Sequence, residues 1–130
     1  MNLPKYCLDT HTLIWYFDQI PTLSKRAYEV LEKIFKGEAI GIIPNMVILE
    51  AFYVSLKDKT FIFPNFIKWI SRENILIVPF DDQVLLECFR LPRKLDIHDR
   101  IIVATATMMD STLVSKDEKI RSIADLKVIW

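Results

Sequence analysis

The sequence predicts an α/β fold, a three-layer α/β/α sandwich built on a central, mainly parallel sheet. Two observations carry this. Short strand-like segments alternate with helical ones along the whole chain, and the strand-like segments are continuous apolar runs. A strand that is apolar on both faces needs helices above and below it, and parallel neighbours need crossover helices between them.

The elements follow in order. "YCLD" (6–9) reads as a strand and "HTLIWYFD" (11–18) as a short helix after it. Residues 24–36 space Ala27, Val30, Leu31, Ile34 and Phe35 along one helical face, and Gly37 is placed to end that helix. "AIGII" (39–43) is a second strand. Pro44 and Asn45 then start a helix over 46–57, with Asn45 as its N-cap. "FPNFIKWISREN" (63–74) is a helix with Pro64 in its first turn, and "ILIVP" (75–79) is a strand. Asp81 or Asp82 caps a helix that runs to about Leu91. A helix over 98–110, a strand "TLVS" (112–115), a short helix "DEKIRSI" (117–123) and a strand "KVIW" (127–130) complete the chain.

With 130 residues and neither repeat, low-complexity tract nor linker, the chain is expected to form one domain over 1–130. A domain of this size buries roughly two-thirds of its unfolded surface, and 52% hydrophobic residues supply ample core, which excludes disorder. Seventeen basic and seventeen acidic residues cancel, so an anionic substrate must be met by a local patch. Cys7 and Cys88 make neither a disulfide framework nor a zinc site. No apolar run is long enough to span a bilayer, and Asp9 interrupts the N-terminus before a signal peptide's apolar stretch. The expectation is a soluble, cytoplasmic protein without a membrane partner.

Four acids stand where acids are costly. Asp9 ends the first strand, on the edge of an open α/β sheet where ligands bind. Glu50 is the only charge in "MVILEAFYV" (46–54), a stretch apolar almost all round and so expected to be buried. Asp99 opens "DRIIVATATMM", and Asp117 follows "TLVS" at another carboxyl end. A lone buried carboxylate costs several kcal/mol and escapes by pairing or protonation. Four that converge outnumber the nearby bases, and a hard divalent cation bound through oxygen resolves the conflict. Each acid singly has a plainer reading: a helix cap for Asp9 and Asp117, a favourable helix-terminal charge for Asp99, an ion pair for Glu50. Together, the four plain readings are the weaker explanation.

"YCLDTHTLIWYF", a Glu within an apolar helix, "DIHDRIIVATA" and "TLVSKDEKI" occur in the order and at about the spacing of PIN-domain ribonucleases. The sequence resembles above all the VapC toxins of toxin–antitoxin pairs, over essentially the whole chain from Tyr6 to Trp130. The resemblance implies a parallel sheet, frequent dimers, RNA as substrate, and Mg²⁺ or Mn²⁺ bound by Asp9, Glu50, Asp99 and Asp117. It implies metal-assisted phosphodiester hydrolysis, with one or two cations activating a water and stabilising charge on the phosphate. Asp9 and Asp99 are the best direct ligands; Glu50 and Asp117 bind directly, bind through water, or orient the nucleophile. With the chain ending in its last strand, an antitoxin is expected to act in trans. A homodimer is expected through the helices of 24–36 and 46–57.

Other residues carry weaker expectations. His11 and His98 flank the acids, and Asp96 is second to Asp99 within "DIHD". Thr10 and Thr112 place hydroxyls near strand ends, where capping or packing is the plainer role. Arg100 is expected to neutralise a carboxylate before it touches a phosphate. Lys57, Lys59, Arg90, Arg93 and Lys94 are candidates for an RNA-binding rim, against a default of solvated surface. Trp15, Tyr16, Phe52, Tyr53 and Trp69 are core or dimer-face residues before they are base-stacking ones. Haloacid-dehalogenase-like phosphatases need an Asp where His11 stands, and receiver domains need the types of Asp81, Asp82 and Lys116 in another order. The serious alternatives are a non-catalytic PIN-like RNA-binding or scaffold protein, and an RNA-processing nuclease unrelated to toxin–antitoxin function.

Overall fold

The structure is a computed structural model and describes residues 2–123 and 125–130. Its sheet holds β1 (Lys5–Leu8), β2 (Ile40–Pro44), β3 (Ile75–Val78), β4 (Thr112–Val114) and β5 (Val128–Ile129). All neighbours are parallel, in the order β3-β2-β1-β4-β5, so the sheet grows outward on both sides of the first strand. The helices are α1 (Thr10–Phe17), α2 (Lys25–Phe35), α3 (Asn45–Lys57), α4 (Phe63–Ile70), α5 (Asp82–Cys88), α6 (Ile97–Met108) and α7 (Glu118–Arg121).

The alternation along β1 shows the layers. Cys7 faces α6, its thiol reaching the Ile102 carbonyl at 4.0 Å. Tyr6 and Leu8 face the opposite way, toward α2, because side chains alternate across a strand. Gly41, opposite Tyr6, sits under α2 as well: a Cβ there would lie 3.1 Å from Ile34 Cγ2. Its missing side chain is what lets the helix approach the sheet. The architecture is therefore the expected α/β/α sandwich. Leu8, Leu13, Leu31, Ile42, Ile43 and Leu113 are fully buried in its core. β3 departs from expectation: as an edge strand it leaves Leu76 and Ile77 exposed.

Several boundaries move, among them the end of α5, at Cys88 and not Leu91. Asn45 is not a cap but the first residue of α3; Pro44 holds the cap position without a side-chain bond, its own residue still paired with Val78 in the sheet. The helix expected over 63–74 stops at Ile70, because Asn74 is used elsewhere. Its amide donates to the carbonyls of Ile34 at 2.6 Å and Ala39 at 2.8 Å, tying the end of α2 to the start of β2. The helix expected over 98–110 begins at Ile97, with Asp96 as its cap.

α3 is buried on one side only. Val47 and Ala51 face the core, while Leu49, Phe52, Tyr53 and Leu56, at helical spacing, are exposed. α5 and its C-cap add exposed Leu86 and Phe89, the latter 72% exposed. α2 is the opposite case. Its outer face carries exposed Lys25, Arg26, Glu29 and Lys33 beside half-exposed Tyr28, so it is mainly charged. Among the described residues no helix is long and apolar enough to cross a membrane.

Candidate functional site

A cavity of about 270 Å³ opens at the carboxyl ends of the central strands, and Asp9, Glu50, Asp99 and Asp117 all line it, joined by Asp96. Residues spread over 109 positions of sequence meet there because β1 and β4 are adjacent and parallel, and α1, α3 and α6 start from the same edge.

Each acid has a local job as well as a place in the cavity. Asp9 ends β1 and caps α1, accepting from the Thr12 amide at 2.9 Å. Asp96 caps α6, taking the Asp99 amide at 2.8 Å, so Asp99 sits in the first turn and does not begin the helix. Asp117 caps α7 through the Lys119 amide at 2.8 Å. The capping and the functional readings of Asp9 and Asp117 are thus compatible, since a strand-to-helix junction at the sheet's edge serves both. Glu50 is held by two groups: the Thr10 hydroxyl donates to Oε1 at 2.9 Å, and His98 Nδ1 lies 3.0 Å from Oε2.

The electrostatics are those of excess negative charge. Burial pushes the Asp9 carboxyl up from its ordinary range, opposed by hydrogen bonds from Thr12 and Ser115 and by the charge of His11. The Asp99 carboxyl is pushed up to about 6, first by burial, then by the charges of Asp96, Asp117 and Asp9 and by a hydrogen bond with Asp117. Lys116 is the cationic side chain of Lys or Arg type on the cavity wall, its ammonium 6.0 Å from the Trp15 ring centre. Trp15 also lines the cavity, half-buried between His11 and Trp130.

Of the other residues singled out in the sequence, Arg100 is the one clear correction. Arg100 neither pairs with a carboxylate nor faces the cavity. Its guanidinium donates to the carbonyls of Cys88, Leu91, Pro92 and Leu95 at 2.8–3.1 Å, bracing the loop before α6. Thr112 lies at the far end of β4, in a separate cavity with Tyr6 and Arg26. Lys57, Lys59, Arg90, Arg93 and Lys94 do not line the acidic cavity; Arg90 pairs with Glu87 at 3.4 Å and Lys94 bonds the Ser122 hydroxyl. Tyr16 and Trp69 pack in an aromatic cluster with Phe17 and Phe35, whereas Phe52 and Tyr53 are exposed. Cys7 and Cys88 are free and buried.

Two contributors escaped the sequence reading. Ser115 is fully buried, accepts from the Asp117 amide at 3.2 Å, and helps hold the Asp9 carboxyl pKa down against burial. Its only signal was a hydroxyl at a strand's carboxyl end, two residues before an acid. Lys116 stood in the same short stretch, but its direction depends on the loop after β4.

Among the described residues no group of three or more His, Cys, Asp and Glu side chains is already disposed to hold a metal ion. The chemistry of the donor set nevertheless suits a hard divalent cation: carboxylate oxygens crowded at one point, a hydroxyl from Ser115 behind them, and too few bases to neutralise them. A cation would relieve the repulsion among these acids, and their half-buried side chains would have to leave their present positions to close around it.

The PIN domain family model matches residues 6–126. No curated protein matches the sequence. Among solved structures, the chain is similar to VapBC2 from Rickettsia felis bound to a DNA fragment from their promoter, with TM-score 0.72 and 20% identity over 96% of this chain and 97% of that one. A toxin–antitoxin complex from Klebsiella pneumoniae is similar at TM-score 0.71 and 19% identity, covering 96% of both chains. The PIN domain endonuclease Utp24 is more distant, at TM-score 0.52 and 14% identity over 90% of this chain and 74% of that one.

Proposed function

The chain belongs to the PIN domain family, and from that premise we propose that it is a divalent-metal-dependent ribonuclease and the toxin of a toxin–antitoxin pair. The observation that carries the reading is the meeting of Asp9, Glu50, Asp99 and Asp117 in one cavity at the sheet's carboxyl edge. The relatives described as toxin–antitoxin complexes and as an endonuclease support it. Residues 1–130 form a single domain in this reading.

Asp9 and Asp99 would hold Mg²⁺ or Mn²⁺, with Glu50 and Asp117 completing the set directly or through water. When bound there, such an ion would supply Lewis acidity toward a phosphate oxygen and would lower the pKa of a water. The chain's own groups do the rest. The Thr12 amide fixes the Asp9 carboxylate, while Thr10 and His98 fix Glu50. Lys116 offers its ammonium to the negative charge of the RNA phosphate. An acid-lined cavity would otherwise repel that phosphate.

An antitoxin acting in trans and a second copy of this chain are the proposed protein partners. The exposed apolar residues of α3 and α5 support a homodimer better than the charged face of α2 does. A monomeric mass by light scattering at micromolar protein would count against it. The non-catalytic alternative draws support from the lack of a ready-made three-donor metal site among the described residues. Metal titration followed by an RNA cleavage assay decides. Cleavage that requires Mn²⁺ or Mg²⁺ and stops in excess chelator supports the nuclease; tight RNA binding without cleavage supports the binding module.

A further inference from the structure

We propose that His98 reads the ribose beside the scissile phosphate, its outer ring nitrogen hydrogen-bonding a 2′-hydroxyl and so selecting RNA over DNA. This rests on the nuclease reading for its substrate, and names the residue that decides which sugar the site takes.

Two histidines line the acidic cavity. His11 packs its ring against Trp15, with centres 5.5 Å apart. His98 is held by an acid instead. Its Nδ1 lies 3.0 Å from Glu50 Oε2, while the Thr10 hydroxyl donates to the other carboxylate oxygen at 2.9 Å. An ionised carboxylate only accepts, so Nδ1 carries the proton of that bond. The bond sets both the direction and the tautomer of the ring, and leaves Nε2 as the nitrogen for a ligand. The side chain is half exposed, so a ligand can reach it.

The place of His98 in the chain says which part of a nucleotide it meets. It stands between Asp96 and Asp99 on the cavity wall, in the first turn of α6 beside a proposed metal ligand. A phosphate held at that ligand has His98 alongside, and the group bonded directly to a phosphate is its sugar. The hydrogen-bonding chemistry agrees. A phosphate diester only accepts, and with Nδ1 protonated the Nε2 of a neutral ring only accepts as well. Asp96 and Asp99 repel a second phosphate besides. A ribose 2′-hydroxyl both donates and accepts, so it satisfies Nε2 whatever the charge of the ring, and it is the group that DNA lacks. The proposed hydrolysis takes its nucleophile from water. A strand lacking one 2′-hydroxyl therefore stays chemically cleavable and reports recognition alone.

The test uses a short single-stranded RNA with one cut site, and two further strands, each with a single 2′-deoxy nucleotide on one side of the cut. Wild type, His98→Asn and His98→Phe are compared. Asn keeps an N–H for Glu50 near the place of Nδ1 but has nothing at the place of Nε2; Phe keeps the ring without either nitrogen. KM and kcat are read in Mn²⁺, and affinity is read by fluorescence anisotropy of labelled strands in chelator. Wild type should favour the all-ribose strand over one deoxy strand by roughly two- to tenfold in KM and in metal-free affinity, the scale of one hydrogen bond. Both variants should lose that preference. Any loss that acts through Glu50 falls on all three strands alike and leaves the ratio to be read. If RNA is cleaved but wild type shows no ribose preference, or either variant keeps it, the sugar contact is overturned and the nuclease reading stands. If nothing is cleaved while the metal-free preference is present in wild type and lost in the variants, the nuclease reading fails and the sugar contact stands. Absence of both cleavage and preference overturns both. Equal slowing of all three strands in the variants, with the preference intact, would mean that His98 acts only through Glu50, which also overturns the proposal.

Discussion

Asp99 and Arg100 are consecutive in α6, half-buried, and oppositely treated by the structure around them. Arg100 turns toward the loop before the helix and finds four carbonyl acceptors there. Asp99 turns toward the cavity and meets Asp96, Asp117 and Asp9. One charge is compensated and the other is left in deficit. A charge that only holds the fold is given its partners, because an unpaired buried charge is among the costliest defects a small domain can carry. A charge kept among like charges marks a place where something else must supply the counter-charge.

The largest effect that sharpens this contrast is on activity. Asp9→Asn or Asp99→Asn should lower cleavage of RNA in Mn²⁺ by more than the roughly 10–100-fold that supporting groups around a metal cost. Circular dichroism should show both variants folded. Full activity in both would remove the cavity's claim to be the active site.

Metal binding should separate the two sides next. At 100 times its dissociation constant, Mn²⁺ should stabilise wild type by about 2.7 kcal/mol. Asp99→Asn should gain less, and without metal it should melt above wild type, since it removes one of the crowded charges. Loss of its favourable helix-terminal charge offsets that gain by about 0.3–1 kcal/mol. Equal metal-induced shifts in the two proteins would reduce Asp99 to a helix-terminal charge.

Arg100→Met should do the reverse. It strips the donor from four carbonyls and should cost about 2 kcal/mol in urea unfolding, the scale of hydrogen bonds to a charged group. Arg100→Lys should recover little, because an ammonium lacks the planar fork that spans those acceptors. The remaining folded protein should keep its response to Mn²⁺. A large loss of that response in Arg100→Met would mean the two sides of α6 are coupled.

The smallest effect is pH dependence in chelator. Asp99 binds its proton more tightly in the folded protein, at about 6, than at its ordinary value of 3.8. Its contribution is therefore most favourable below about pH 4 and is lost as pH rises to about 6. Solvent contact reduces this to about 1 kcal/mol. Wild type should show that decline against a flatter Asp99→Asn profile, in melting curves from pH 4 to 7. Parallel profiles would show that the neighbouring acids do not act on Asp99.

The strands and most helices were legible in the sequence because their signals are local: apolar runs, a 3.6-residue period in α2, and the Asp81–Asp82 pair at the start of α5. The acids were legible for a related reason, since Asp9 and Asp117 sit at strand ends whatever the sheet order. What failed was anything that depends on a distant partner. Asn74 ends α4 early because carbonyls forty and thirty-five residues away claim its amide. α3 looked buried all round, but hydrophobicity alone does not say which faces a fold covers, and Leu49, Phe52, Tyr53 and Leu56 are left outside.

By itself the sequence determined the alternation of elements, the apolar core and the presence of four misplaced acids, since each follows from residue type and local spacing. Only the tertiary structure decided that Arg100 braces a loop, that Ser115 and Lys116 join the acids, and that Trp15 borders the acidic cavity. The physical reason is direction. Where a side chain points, and what meets it there, is fixed by the packing of β1 beside β4 and of the helices on either side, and no local pattern carries that information.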